Sequence, residues 1–139
     1  MPTHRYVVGL MFTKDGSRVL LIQKNRPVWQ SGKLNGPGGK LEPDESFEDA
    51  MVREFREETG LDTFKDEWKH VLTWNGPDYE LRFYSTQTDA VYDAKTTTDE
   101  HVRTYYTESM NQLPLVPNLK WIIPLCSDQS QIFPLTVQE

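Results

Sequence analysis

Residues 6–12 and 18–24 are two apolar, β-prone runs separated by Thr13, Lys14, Asp15, Gly16 and Ser17, a pattern that predicts a hairpin entering a core sheet. Between 25 and 38 the breakers Pro27, Gly32, Gly36, Pro37 and Gly38 exclude a long helix and predict a loop, with one short strand at 33–35. The period then changes. Phe47, Ala50, Met51 and Phe55 recur at steps of three and four, which predicts a helix with one apolar face turned to the core. Its start signal is Ser46, whose hydroxyl can accept from the amide of Asp49 while the Asp49 carboxylate reaches back, and its stop is Gly60.

Beyond the helix, 68–74 and 79–86 predict two strands joined by the turn residues Asn75, Gly76, Pro77 and Asp78. Residues 89–100 are polar and carry no clear period. In 101–107, Val102, Thr104 and Tyr106 alternate with His101, Arg103 and Tyr105, a strand whose buried face the pattern leaves open. A short helix over 119–126 would place Trp121, Ile122 and Leu125 on one side, with Pro124 limiting it, and the tail from Ser127 is expected at the surface with Ile132 and Phe133 able to dock. Strands around a central helix, with a second helix near the end, predict a mixed α/β domain.

The chain has 139 residues, enough for one domain over 1–139 but not for two independent cores. With 37% hydrophobic and 26% charged residues it has the make-up of a folded protein rather than a disordered one. A formal charge of −6 argues against a grip on long nucleic acid, which needs a basic surface, so an anionic partner must be met by a few local cations or a metal. One cysteine, Cys126, allows no intrachain disulfide and points to a reducing compartment. Residues 1–6 show no leader pattern and no segment has the apolar length of a membrane span, from which a cytoplasmic protein is expected.

The acids of the predicted helix change the picture most. Glu54 falls four after Ala50 and Glu58 falls three after Phe55, so both share the apolar face, with Glu57 beside them; Asp49, Arg53 and Arg56 are left for the outer face. Clustered carboxylates repel one another, by about 0.2–0.5 kcal/mol per exposed pair and more where water is scarce. A solvated acidic face is the plain alternative. A hard cation that neutralises the cluster is the sharper one, because Mg²⁺ is held by carboxylates, carbonyls, water and substrate phosphates.

Gly39, Glu45, Arg53, Glu54, Phe55, Glu57, Glu58, Gly60 and Leu61 together match the Nudix box, Gly-x5-Glu-x7-Arg-Glu-U-x-Glu-Glu-x-Gly-U with U a bulky apolar residue, without departure. Its seven fixed residues would coincide by chance on the order of once in a hundred million start positions. The chain thus resembles the Nudix hydrolases, a resemblance that implies a mixed sheet sandwiched between helices. It also implies metal ligands at Glu54, Glu57, Glu58 and the Gly39 carbonyl, with Mg²⁺ as the ion and Mn²⁺ as its substitute. By the same resemblance Glu54 deprotonates or orients water. Arg53 orients a carboxylate with Glu45 as partner, unless both are structural. A further ligand from a loop across the cleft would be Glu100, with Asp99 second, although a solvated loop acid fits as well.

Lys24, Lys40 and Arg26 are candidate phosphate contacts or plain surface cations. The run from Gly32 to Lys40 resembles the approach to the box in MutT-like nucleoside triphosphate hydrolases, where an Asn at the place of Asn35 reads the base. The segment 113–121 resembles their C-terminal part, where Asn118 would contact a purine and Trp121 would wall the pocket; alternatively Asn118 caps a helix and Trp121 is core.

The resemblance implies a pyrophosphohydrolase converting (deoxy)nucleoside triphosphates, oxidised purines such as 8-oxo-dGTP included, to monophosphate and pyrophosphate. ADP-ribose, nucleotide sugars or RNA 5′ ends are alternative substrates, and a non-catalytic nucleotide sensor is the alternative of another class. The expected partner is a small nucleotide, with no long nucleic acid and no membrane, on a monomer or homodimer.

Overall fold

The computed structural model describes residues 2 and 4–139; the reading of the first six residues therefore includes two, Met1 and Thr3, that lie outside the described residues. In chain order the elements are β1 (His4–Phe12), β2 (Arg18–Gln23), β3 (Leu34–Asn35), β4 (Gly38–Lys40), α1 (Phe47–Thr59), β5 (Lys69–Asn75), β6 (Tyr79–Gln87), β7 (Val102–Tyr106), α2 (Leu119–Leu125) and β8 (Leu135–Gln138). They form one mixed sheet in the order β3-β2-β1-β6-β5-β8, with β4 added to β1 and β7 to β2. The longest ladder is β1 against β6, parallel over nine pairs from His4↔Tyr79 to Phe12↔Gln87.

Strand β1 is buried on both faces, and its alternation divides the core. Val7 and Met11 join Leu20, Ala50, Met51, Phe55, Trp68 and Tyr84 under α1, while Val8, Leu10 and Phe12 join Leu21, Leu72, Phe83, Leu119 and Ile122 under α2. The sheet therefore lies between the two helices, as the family resemblance implies. Phe55 meets Trp68 edge to face at 4.9 Å, and the Trp68 indole donates to Thr63 Oγ1 at 2.9 Å.

Most predicted elements appear within one or two residues of their expected ends. Four details differ. The loop before the box contains β4, whose pairing Val7↔Gly39 and Val8↔Gly38 depends on β1 and has no local signal in a run of glycines. The tail is not all surface: β8 pairs in parallel with β5, Leu72↔Leu135 to Asn75↔Gln138. In α2 the buried residues are Leu119, Ile122 and Ile123, and Trp121 is 43% exposed, so it is not core. Ser46 Oγ accepts from the Asp49 amide at 3.0 Å as expected, but the Asp49 carboxylate pairs with Lys65 at 3.3 Å instead of reaching back.

Candidate active site

Helix α1 ends where predicted, at Gly60 with φ 76° and its amide on the Arg56 carbonyl. Met51 packs against Gly9 of β1, which seats the helix directly on the centre of the sheet. That seating carries Glu54 and Glu58 to the backbone of β4. The Glu54 carboxylate lies on Gly39: a Cβ there would stand 2.5 Å from Glu54 Cδ and 2.6 Å from each oxygen. Glu58 Oε2 accepts from the Gly38 amide at 3.0 Å. Glycine at 39 lets the Glu54 carboxylate approach the strand this closely, while glycine at 38 lets β4 lie against the Val7 carbonyl of β1.

Arg53 is not on a solvated outer face. Its guanidinium donates from Nε and Nη2 to the two oxygens of Glu45 at 2.7 and 2.8 Å, from Nη1 to Glu54 Oε1 at 2.9 Å, and from Nη2 to the Lys40 carbonyl at 3.2 Å. Glu57 stands further off at 3.4 Å, with its side chain 56% exposed and free to turn. A planar five-donor group suits this arrangement, since lysine could not hold a carboxylate bidentately and reach two further acceptors. Glu45 holds its charge more readily than an ordinary carboxylate, chiefly because of Arg53.

The two acids on β4 behave in the opposite way. Burial pushes Glu58 up to about 8 against the pull of Lys24 and the Gly38 amide, and burial also raises Glu54 despite its bond to Arg53. Across the cleft, Glu100 is only 5% exposed. It accepts from Lys24 Nζ at 3.0 Å, from the Asn25 amide at 2.7 Å and from the Arg26 amide at 3.3 Å. Burial would raise its pKa, yet these donors outweigh burial and hold it below the usual range. Asp99, the second choice, pairs with Arg26 at 2.6 Å in the open. Among the described residues no three acid, His or Cys side chains already meet at one point where an ion would sit.

The remaining sequence candidates divide. Lys24 is brought to the cluster, whereas the Lys40 side chain is exposed and only its carbonyl joins the site. Asn35 sits beside the box loop with its amide engaged, Nδ2 on Gln30 and Oδ1 on the Gly36 amide. Asn118 occupies the N-cap position of α2 without capping it; its φ is 75° and its Oδ1 accepts from Trp121 Nε1 at 3.0 Å. Trp121 leans on Trp74 at 6.2 Å, and a parallel bridge between Leu34 and Leu115 ties this wall to β3. Trp74 and Gln30 had no sequence signal as site neighbours, because Trp74 meets Trp121 only once α2 packs on the sheet and Gln30 meets Asn35 only where the loop folds back. A cavity of about 940 Å³ touching Phe12, Lys69, Lys120 and Cys126 lies at the far end of β1 and shares no residue with the box.

Comparison with known proteins agrees with this geometry: the NUDIX domain model matches residues 2–122. The chain belongs to the Nudix family. It is similar to a CTP pyrophosphohydrolase of Escherichia coli, 35% identical over 52% of this chain and 62% of that protein. It also matches an RNA pyrophosphohydrolase of Pseudomonas putida, 41% identical over 40% of this chain and 32% of that one. The chain thus spans less than two thirds of these curated relatives. A solved structure described as MutT from Aliivibrio salmonicida and Vibrio cholerae has the same fold, with TM-score 0.73, 24% identity and coverage of 87% of this chain and 97% of that one. Among the described residues of this Nudix protein no helix is long and apolar enough to cross a membrane.

Proposed function

We propose that this Nudix protein is a metal-dependent pyrophosphohydrolase that converts (deoxy)nucleoside triphosphates to monophosphate and pyrophosphate. The observation that carries this reading is the pair Glu54 and Glu58, two desolvated carboxylates laid on a glycine backbone, whose burial outweighs the Arg53 bond, the Gly38 amide and the charge of Lys24. A purely structural helix would gain nothing from holding them there. The donor set is all hard oxygen and fits Mg²⁺, with Mn²⁺ as its substitute, held by Glu54, Glu57, Glu58 and the Gly39 carbonyl. When bound, the ion neutralises phosphate oxygens and makes water more acidic.

The chain's own groups do the rest. Arg53 holds Glu54 Oε1 and so leaves Oε2 to orient a water and take its proton as the water oxygen attacks phosphorus and the anhydride bond breaks. Lys24 presents its ammonium to the phosphates as a point charge. Asn118 and Trp121, backed by Trp74, form the wall on which a base would rest, and Asn35 lies at the neighbouring strand. Named relatives act on CTP and on RNA, as their names state, and the (deoxy)nucleoside triphosphates we propose for this chain include oxidised purines such as 8-oxo-dGTP. A single cysteine, which allows no intrachain disulfide, supports a reducing compartment such as the cytoplasm.

The test is pyrophosphate release from a panel of CTP, dGTP, 8-oxo-dGTP, ADP-ribose and 5′-triphosphorylated RNA, with Mg²⁺ and with excess chelator. Turnover of triphosphates only with metal is expected; full turnover in chelator would remove the metal from the mechanism. A second measurement addresses the base. Asn118→Ala is expected to change the purine-to-pyrimidine ratio of kcat/KM by about 1–3 kcal/mol, the cost of an unpaired polar group in a partly dry pocket. An equal effect on every substrate would leave Asn118 as the partner of Trp121 and nothing more.

A further inference from the structure

Glu100 invites assignment as one more metal ligand, but its surroundings point elsewhere. Its two carboxylate oxygens already take three donors, Lys24 Nζ and the Asn25 and Arg26 amides. The two amides belong to the chain leaving β2, whose turn is closed by Lys24 amide to Lys33 carbonyl and Gly32 amide to Lys24 carbonyl, each 2.8 Å. Moving the carboxylate onto an ion would take an acceptor from these amides and the fixed partner from Lys24. Lys24 is in the converse position. Its side chain is only 16% exposed, and a charge so placed needs a fixed partner. Glu100 supplies one bond, which leaves two of the three N–H groups of the ammonium for other acceptors, and its charge acts on Glu58.

We propose that Glu100 is the positioning residue of Lys24, fixing its ammonium as a phosphate-binding charge, and that it is not a metal ligand. This rests on the triphosphate reading above and deepens it. Lys24 touches the substrate; Glu100 acts through Lys24. The binding charge is thereby set on the β2 side of the cleft and the metal-binding acids on the α1 side, so the two functions can be altered separately.

The experiment compares wild type, Glu58→Gln, Glu100→Gln, Lys24→Met, Lys24→Arg and the Glu100→Gln/Lys24→Met pair. Mn²⁺ affinity is read without nucleotide by electron paramagnetic resonance, inorganic tripolyphosphate affinity by calorimetry, and KM and kcat with a triphosphate. Expected is a matching loss of tripolyphosphate affinity and rise in KM for Glu100→Gln and Lys24→Met, about ten- to a hundredfold as for a lost charged hydrogen bond. The pair should be no worse than either single change, because the two residues act as a unit. Lys24→Arg should restore most of the affinity. Mn²⁺ affinity should stay within about twofold of wild type in Glu100→Gln while falling in Glu58→Gln.

Loss of Mn²⁺ affinity in Glu100→Gln as large as in Glu58→Gln, or losses that multiply in the pair, would overturn the proposal. If Glu100→Gln fails to fold, Lys24→Met still decides, since it leaves the acceptor of the two amides in place, and wild-type tripolyphosphate affinity there would overturn it. A wild-type protein without turnover on any triphosphate would sink the functional reading alone; the Mn²⁺ and tripolyphosphate measurements would still judge the pairing.

Discussion

Glu58→Gln is expected to lose at least about a hundredfold in turnover while making the metal-free protein more stable at neutral pH, the scale expected when a positioned catalytic group is removed. Glu58 has its folded pKa raised to about 8 from 4.5, with burial as the chief cause. The folded state therefore binds a proton there that the unfolded chain has released, and stability falls as pH rises from 4.5 through 8. Glu54 is raised by burial too and acts in the same direction.

Other groups act elsewhere on the pH scale. The lowered carboxylates Asp15, Glu45, Asp99 and Glu100 add stability that is complete above pH about 5. His70, lowered mainly by burial, adds stability that is complete above about 6.5. Between pH 6.5 and 8 the slope thus belongs to the box. Thermal melts in chelator should show wild type losing about 1–2 kcal/mol over that interval and Glu58→Gln losing clearly less, since glutamine stands in for the protonated acid. Saturating Mg²⁺ should flatten the wild-type slope by favouring the ionised form. Equal slopes in the two proteins would mean that Glu58 is ionised at neutral pH without help.

Alanine at Gly38 and at Gly39 is expected to fail in two different ways. At Gly38 the new Cβ would stand 1.9 Å from the Val7 carbonyl oxygen, a backbone atom of the central strand that cannot move aside. Strand β4 would have to part from β1, and the loss should reach or exceed the roughly 1–3 kcal/mol usual for overpacking, with activity lost alongside stability. At Gly39 the atom met is Glu54 Cδ at 2.5 Å, the far end of a side chain that can rotate. The fold should survive with less than about 1 kcal/mol lost, while displacement of that carboxylate by about 1 Å costs on the order of a hundredfold in rate. Melting temperature and kcat measured on both variants check this. A Gly39→Ala protein with normal kcat would show that Glu54 need not lie on β4 for turnover.

The sequence by itself determined whatever depends on local periodicity and spacing. The three- and four-residue recurrence of Phe47, Ala50, Met51 and Phe55, with Ser46 and Gly60 at its ends, specified α1 almost to the residue, and the spacing of Glu54 and Glu58 placed both on its inner flank. The box spacing was legible for the same reason: helix and loop geometry convert fixed steps along the chain into a fixed constellation. Partners that arrive from afar were decided only by the tertiary structure. Helical period alone left Arg53 on the outer face; the box resemblance named Glu45 as its partner, and only the fold added the Lys40 carbonyl, while β8 looked like a tail until β5 offered an edge. Glu100, 76 residues beyond Lys24, became its counterion only because β7 pairs with β2 at Ile22↔Val102 and brings the two loops together. Hydrogen bonds across such distances leave no mark on local pattern, since any acid at the end of any polar loop reads the same until the sheet is assembled.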